Sequence, residues 1–184
     1  KAIELDSNYS EAYNNLGTVL IEQRRLQEAE QILRKAITIK PDHAYSYLNL
    51  GNTLKFLYRL DEAENICRIA IKLNPNNSTF YYNLGHILKK KGKLEDTEKS
   101  FRKAIDLDSN YSKAYSSLGI TLKELNKLGE AVECCEIATK INPKYAEGFA
   151  NLGLVLYASG DQHSALKQLK EANHIDPNSK IIRK

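Results

Sequence analysis

The 184-residue sequence contains no methionine and no tryptophan, and only three cysteines and four prolines. An odd and small number of cysteines argues against a disulfide framework and favours a reducing compartment, so we expect a cytoplasmic protein. The lack of any methionine, even an initiator, leads us to expect a fragment of a longer chain. No apolar run approaches the roughly 18 residues that a membrane-spanning helix needs, and no signal-peptide pattern begins at Lys1. We therefore expect no membrane partner.

Other signals of chemistry are also missing. The 27 basic and 23 acidic residues leave a net charge of +4, which is too small an excess to favour nucleic-acid binding. The sequence has no GxxxxGK[ST], HExxH or GxSxG motif. We therefore expect no enzyme activity, no cofactor and no metal site. The composition, with 42% hydrophobic and 27% charged residues, is typical of a folded chain.

What the sequence has in abundance is internal repetition. Leu-Gly pairs recur every 34 residues, and a fixed period of this length predicts a repeat array in which each repeat packs only against its neighbours. The pairs begin at Leu16, Leu50, Leu84, Leu118 and Leu152. We divide the chain into the end of a preceding repeat, with its second helix (1–9), five full repeats (10–43, 44–77, 78–111, 112–145 and 146–179) and the start of a truncated repeat or cap (180–184).

Each repeat carries two apolar stripes at helical spacing with a short break between them, which predicts a pair of helices. The break contains Gly92, Asn126 and Gly160 in repeats three to five, residues that tolerate a left-handed turn. Arg24 and Tyr58 take this place in the first two repeats, where we expect slight strain or a different turn. Proline ends the second helix of four repeats, at Pro41, Pro75, Pro143 and Pro177.

Small and large residues also alternate at fixed places. A glycine in mid-helix costs about 1 kcal/mol relative to alanine, so its recurrence in every repeat predicts a close approach of two helices. The small residues at the expected close approach are Gly17, Gly51, Gly85, Gly119 and Gly153, together with Ala29, Ala63, Ala131 and Ala165. Large residues recur elsewhere in the repeat, for example Leu33, Cys67, Phe101, Cys135 and Leu169. Small against large is the pattern of packed antiparallel helices, and it predicts that the cysteines are buried as small hydrophobic residues.

An aromatic residue, Leu-Gly, a hydrophobic residue, two alanines and a terminal proline within 34 residues resemble the tetratricopeptide repeat. The resemblance covers essentially the whole chain. It implies an all-α fold, a right-handed superhelical solenoid of antiparallel helix pairs in which the first helices line a concave groove. It also implies a non-catalytic scaffold that binds a peptide segment there. The first repeat shows the pattern as Tyr13, Leu16, Gly17, Leu20, Ala29, Ala36 and Pro41.

Asparagine precedes Leu-Gly in four repeats, at Asn15, Asn49, Asn83 and Asn151, and Ser117 interrupts the series. A carboxamide donates and accepts hydrogen bonds, so this column could hold a peptide backbone without reading its sequence. It is similar to the asparagine column in the repeats of O-linked N-acetylglucosamine transferases. A solvated groove tolerates asparagine equally well, so ligand contact and an inert surface both remain open.

A column of lysines forms the second candidate feature: Lys55, Lys89 and Lys123, extended by Lys90 and Lys113. Their charge would attract an acidic segment or a C-terminal carboxylate, although lysines also serve simply to keep a surface soluble. The carboxylate-clamp members of the family use a similar pattern. Asn52, Asn83 and Lys113 match that pattern, whereas Leu48 and Ser117 do not, so we expect no true clamp.

The sequence therefore predicts a protein-interaction scaffold whose ligand is a protein or peptide, and an acidic peptide is one candidate. Asn52 and His86 join the asparagine column in holding the backbone, and Tyr45, Phe56 and Tyr82 supply apolar anchors. An alternative is the substrate-recognition arm of a larger enzyme, such as a glycosyltransferase, whose catalytic domain is absent. We also expect end-to-end self-association, because little of the sequence remains to cover the last predicted helix, with Leu166, Leu169 and Ile175.

Overall fold

A computed structural model describes residues 10–177, and in this part of the chain all regular structure is α-helical, which confirms the predicted all-α class. The partial repeats predicted at 1–9 and 180–184 lie outside the described residues. Helices of 13 residues, here called A helices, alternate with B helices of 14. The A helices are α1 (Ser10–Glu22), α3 (Ala44–Phe56), α5 (Ser78–Lys90), α7 (Ser112–Glu124) and α9 (Ala146–Ala158), and the B helices are α2 (Leu26–Ile39), α4 (Leu60–Leu73), α6 (Leu94–Leu107), α8 (Leu128–Ile141) and α10 (Gln162–Ile175).

A three-residue turn joins each A helix to the B helix that follows it, and its middle residue has a positive φ in every repeat. The angles are 62° at Arg24, 60° at Tyr58, 74° at Gly92, 60° at Asn126 and 93° at Gly160. The first two repeats therefore use the same left-handed turn as the others. The expectation of a different turn is therefore wrong, and a side chain in this left-handed conformation costs about 1–2 kcal/mol.

The B helices end at the same place whether or not proline is present. Where proline follows, the helix ends two residues before it, as at Ile39 before Pro41. The third repeat has Ser109 in place of proline, and α6 still ends at Leu107. There the backbone N–H of Asp108 donates to the carbonyl of Ala104, and Asp108 itself adopts an extended conformation. Proline is thus not required to end the B helix.

The chain divides into two compact units, unit 1 (Lys1–Lys91) and unit 2 (Gly92–Lys184). In the described part of unit 1, α3 packs against α1, α2, α4 and α5. The Ser10 hydroxyl donates to the carbonyl of Ala36 over 2.9 Å, so the start of α1 lies beside the end of α2 and the two helices are antiparallel. Two core clusters lie in unit 1, one of Leu33, Leu50, Leu54, Ala63, Cys67, Leu84, Ile87 and Leu88 and one of Ala44, Leu48, Ala70 and Phe80.

Unit 2 repeats this arrangement with its own helices. Helix α7 packs against α6, α8 and α9, and α9 packs in addition against α8 and α10. Thr97 stands where other repeats have alanine and is fully buried, and its hydroxyl donates to the carbonyl of Lys93 over 2.8 Å. Its extra polar group is therefore satisfied. No helix in residues 10–177 is both long and apolar enough to cross a bilayer.

The mid-helix glycines allow A and B helices to approach each other closely. A Cβ atom added to Gly51 would lie 2.5 Å from Sγ of Cys67, and one added to Gly17 would lie 2.6 Å from Cδ2 of Leu33. The equivalent distance from Gly153 to Cγ of Leu169 is 2.8 Å. All three are shorter than a non-bonded carbon contact. The predicted small-against-large packing is confirmed at these pairs.

The three cysteines are free, buried thiols, as the sequence pattern predicted for Cys67 and Cys135. Burial raises the pKa of Cys67 and of Cys135 to about 12 and that of Cys134 to about 11. These thiols are therefore protonated near neutral pH and pack as small apolar groups. Within the described residues, no group of three or more His, Cys, Asp and Glu side chains could hold a metal ion.

Charged side chains on the B helices form ion pairs in a repeating register. Arg34 pairs with Glu30 on its own helix and with Glu62 at the start of the next B helix. Arg102 pairs in the same way with Glu98 and with Glu130. The side chains of both arginines are 44% exposed, so each pair contributes about 0–1 kcal/mol. Sequence analysis did not predict this register.

The glycine packing can be tested at Gly51. Gly51→Ala should lower the free energy of unfolding by about 1–3 kcal/mol, because the new methyl group overlaps Sγ of Cys67. Gly51→Ala combined with Cys67→Ala should be destabilised by less than the sum of the two single changes. Urea denaturation measures all three variants, with Gly129→Ala as the control. Gly129 lies in α8 with no atom within 4 Å of an added Cβ, so its variant should be unchanged or up to about 1 kcal/mol more stable.

Strictly additive effects at Gly51 and Cys67 would contradict the close approach of α3 and α4.

Candidate ligand-binding face

The A helices of unit 1 lie side by side, since α3 contacts both α1 and α5. Residues 34 positions apart on these helices therefore occupy neighbouring places, and we call the surface they form the A-helix face of unit 1. Most of the residues predicted to bind a ligand are on this face. They are Asn15, Tyr45, Asn49, Asn52, Lys55, Phe56, Tyr82, Asn83, His86 and Lys89.

Positive charge is concentrated around Lys55, His86 and Lys89, which we call the cationic cluster. Burial lowers the pKa of Lys55, and the charge of Lys90 lowers it further. Burial, Lys55 and Lys89 together lower the pKa of His86 to about 4. The His86 imidazole is therefore neutral at pH 7 and lies within the field of two ammonium groups. Such a cluster is suited to bind an anionic group.

Lys55 is held in place by two neighbours on its own helix. Its Nζ atom donates to Oδ1 of Asn52 over 3.1 Å and lies 5.1 Å from the centre of the Phe56 ring. The guanidinium of Arg24 lies 5.0 Å from the centre of the same ring. Phe56 is still 38% exposed. It therefore offers apolar surface next to two cations, and each cation–π contact contributes about 0.5–1 kcal/mol at an exposed site.

The two other aromatic anchors are also fixed by contacts. The rings of Tyr82 and His86 meet edge to face with centres 4.5 Å apart, so Tyr82 borders the cationic cluster. Tyr45 lies at the opposite end of α3 from Lys55. Its hydroxyl accepts a hydrogen bond of 3.0 Å from Nδ2 of Asn77, and its ring packs edge to face on Phe80. Tyr45 and Tyr82 are thus separate contact points.

The asparagine column has a structural role that the sequence did not indicate. Nδ2 of Asn49 in α3 donates to Oδ1 of Asn14 over 2.9 Å and to the Thr18 hydroxyl over 3.1 Å, and both partners are in α1. In unit 2, Nδ2 of Asn151 donates to the Ser116 hydroxyl over 2.9 Å, joining α9 to α7. These carboxamides therefore connect neighbouring A helices.

Asn83 differs because its neighbour differs. Asn14 and Ser116 occupy equivalent positions in the first and fourth repeats, and the equivalent residue of the second repeat is Leu48. Leu48 offers no acceptor, and Nδ2 of Asn83 donates instead to the carbonyl of Thr79 on its own helix over 2.8 Å. Asn15, at the first place in the column, is exposed. Equivalent asparagines thus have different partners.

Lys113, Lys123 and Asn151 belong to unit 2, so the predicted set is divided between the two units. Lys113 is exposed in the first turn of α7, and Lys123 lies near the thiol of Cys135, whose pKa it lowers slightly against the effect of burial. The A helices of unit 2 also expose Leu154 and Tyr157. The predicted set omitted these two residues and Arg24, although their exposure could have been inferred from their places in the repeat.

The regular succession of A and B helices in each unit is that of a helical repeat protein. Three family models, each described as tetratricopeptide repeat, match the sequence: one over 78–111, one over 1–31 and 100–133, and one over 20–84. The chain belongs to the tetratricopeptide-repeat family. Among curated proteins, no sequence matches it significantly.

Several solved structures share the fold. YrrB, described as a TPR protein with an unusual peptide-binding site, is 24% identical with a TM-score of 0.70, over 100% of this chain and 94% of YrrB. PilF of Pseudomonas aeruginosa is 20% identical with a TM-score of 0.84, over 92% and 78% of the two chains. PilW, a type IV pilus biogenesis factor, is 18% identical with a TM-score of 0.85, over 93% and 79%. At these identities the likeness shows a common fold.

The structural role of Asn49 gives a stability prediction. Asn49→Ala should lower the free energy of unfolding by about 1 kcal/mol, because it removes two hydrogen bonds between α1 and α3. Asn15→Ala, at the same place in the first repeat, is the matched control and should change stability by less than about 0.5 kcal/mol. Urea denaturation measures both variants. Equal effects would contradict the proposed connection between the helices.

The environment of His86 gives a prediction about pH. The pKa of His86 in the folded state, about 4, is below its ordinary value of 6.5. Between these values the unfolded chain binds more protons, so the contribution of His86 to stability is complete above pH 6.5 and declines as the pH falls towards 4. NMR titration should place the His86 transition near pH 4. The wild-type chain should also lose more stability over this range than His86→Gln, and a titration near pH 6.5 would contradict the burial.

Proposed function

We propose that this chain is a non-catalytic protein-interaction module that binds an acidic peptide segment on the A-helix face of unit 1. The main support is the cationic cluster, in which Lys55 and Lys89 lie beside the neutral ring of His86. Membership of the tetratricopeptide-repeat family and the peptide-binding site described for YrrB support a protein or peptide ligand. The charge of the cluster favours carboxylates among such ligands.

The neighbours of the cluster suggest how the rest of a peptide would bind. Carboxylate side chains would pair with the ammonium groups of Lys55 and Lys89, and partial burial strengthens such pairs relative to fully exposed ones. The exposed surface of Phe56 and the ring of Tyr82 would contact apolar side chains. The donors of Asn49 and Asn83 are already bonded within the protein, so these residues would contribute chiefly as acceptors for peptide N–H groups.

The same face would also suit the substrate-recognition arm of a larger enzyme, such as a glycosyltransferase. That alternative differs from a free-standing scaffold in what is covalently attached to the chain, and the sequence flanking it in the gene would distinguish the two. We further propose a reducing, cytoplasmic location, because Cys67, Cys134 and Cys135 are buried free thiols. Cell fractionation tests that location.

A second candidate interaction is end-to-end self-association. The observation that favours it is apolar exposure at both ends of the described helices. Leu16 and Val19 are exposed in α1, and Leu166 is exposed in α10. Large apolar side chains at such places are costly to leave in water when a matching surface is available.

Peptide binding can be tested with a fluorescein-labelled peptide of alternating glutamate and leucine, measured by fluorescence anisotropy. Lys55→Gln and Lys89→Glu should each weaken binding about tenfold, and added salt should weaken the wild-type complex. Lys72→Glu is the control: it reverses one exposed charge on the B helix α4 and should have little effect. A matched peptide of glutamine and leucine should bind less tightly than the acidic one.

Binding that is indifferent to salt and to both cluster substitutions would refute the proposed acidic ligand.

A further inference from the structure

The middle A helix of unit 1, α3, carries an aromatic residue at each end of its exposed side. Tyr45, in its first turn, is 48% exposed, and Phe56, its last residue, is 38% exposed. The two residues are about three helical turns apart, so they lie on the same side of α3. Asn49 and Asn52 lie between them on that side and are half-buried. We call Tyr45, Asn49, Asn52 and Phe56 the α3 strip.

The exposure of this strip belongs to the interior of unit 1, because α3 contacts an A helix on either side, α1 and α5. The strip is also specific to one repeat. The residues equivalent to Tyr45 in the other four repeats are polar or charged: Glu11, Thr79, Lys113 and Glu147. Those equivalent to Phe56 are Glu22, Lys90, Glu124 and Ala158. Among the five A helices, only α3 therefore has aromatic residues at both places.

Tyr45 is fixed by its neighbours although nearly half of it is exposed. Its ring packs edge to face on Phe80 with centres 5.4 Å apart, and the ring of His43 lies 6.4 Å away. Nδ2 of Asn77 donates to the Tyr45 hydroxyl over 3.0 Å, while Oδ1 of Asn77 accepts from the backbone N–H of Thr79 over 3.0 Å. A ring held in this way loses little conformational entropy when a ligand binds. It therefore offers a preorganised surface for an apolar or aromatic side chain.

The other end of the strip is cationic. Lys55 donates to Asn52, and both Lys55 and Arg24 lie against the ring of Phe56. These cations would attract a carboxylate of a ligand. Lys55 and Tyr45 are ten residues apart in α3, which is about 15 Å along the helix axis. An extended peptide advances about 3.3 Å per residue, so about four to six residues would span this distance.

We propose that the α3 strip selects peptides in which an apolar side chain lies about four to six residues from an acidic one, with the acidic side chain paired with Lys55 and the apolar one packed on Tyr45. The proposal rests on the acidic-peptide function and adds a required spacing to it. Asn49, fixed by its hydrogen bonds to Asn14 and Thr18, lies between the two contact points, where the peptide backbone would pass. Charge alone would accept any acidic peptide, whereas two contact points at a fixed distance discriminate against peptides that cannot reach both.

Fluorescence anisotropy with a set of labelled peptides of equal length and composition tests the spacing. Each peptide has blocked termini, one glutamate pair and one phenylalanine in a threonine background, with the phenylalanine two, four or six positions from the nearer glutamate, on either side. Even spacings place both side chains on the same side of an extended chain, so the distance is the variable. In at least one chain direction, a spacing of four or six should bind about fivefold more tightly than a spacing of two, which is too short to reach both Lys55 and Tyr45.

Substitutions of Tyr45 identify the apolar contact. Tyr45→Ala should bind every peptide of the set as weakly as the wild-type chain binds the one with a spacing of two. Tyr45→Phe keeps the ring and should retain most of the spacing preference. Ile69→Ala is the control, because it removes a 39% exposed apolar side chain from the B helix α4, and it should bind like the wild-type chain. Circular dichroism should confirm that all three variants are folded.

The outcomes separate this inference from the proposed function. Equal, salt-sensitive affinity for all spacings would overturn the spacing requirement and leave the acidic-peptide function supported. Failure of every acidic peptide to bind would overturn both. A spacing preference that persists in Tyr45→Ala, or that Ile69→Ala removes equally, would show that the apolar contact is not Tyr45 and would overturn the inference.

Discussion

The close approach between the A and B helices of a repeat is the constraint on which the rest of each unit depends. Gly51 leaves room for the side chain of Cys67, and Gly17 leaves room for that of Leu33. The side chain of the B helix therefore packs directly against the backbone of the A helix. This packing recurs at the same place in the repeat, and within each unit it leaves one side of an A helix free to contact the neighbouring A helix. The candidate ligand-binding face is a consequence, because α1, α3 and α5 can then bring residues 34 positions apart next to each other.

The A and B helices differ in how their charged side chains are arranged, so the two surfaces of a unit differ in electrostatic potential. On the B helices, arginines pair with glutamates of the same helix and of the next, as Arg34 does with Glu30 and Glu62. Positive and negative charge are thus balanced locally on that surface. On the A-helix face, Lys55 is half-buried beside an amide and an aromatic ring, and burial and the nearby charge of Lys90 lower its pKa. The net charge of the whole chain is only +4, but the lysines on the A-helix face are not neutralised in this way. They create a local positive field where a ligand could bind.

Much of the fold could be predicted from the sequence, because helix pairing depends on local spacing of apolar, small and turn residues. The close approach of helices at the glycines, the burial of Cys67 and Cys135 and the all-α class were all predicted from this spacing. The partners of individual side chains could not be predicted so well. Asn49 and Asn83 look equivalent in sequence, yet one bonds a neighbouring helix and the other bonds its own. The contact of Arg24 with Phe56 was likewise missed, since it joins a turn to a helix of the next repeat.

The sequence by itself determined the pairing of helices within each repeat and the places where small and large residues pack. It could do so because these properties follow from contacts within 34 residues that recur five times. Only the tertiary structure decided which polar groups are already bonded, how far the pKa of His86 falls, and which apolar residues stay exposed. These properties depend on the side chain that the neighbouring repeat places opposite, and Leu48 and Asn14 show that this side chain changes from repeat to repeat.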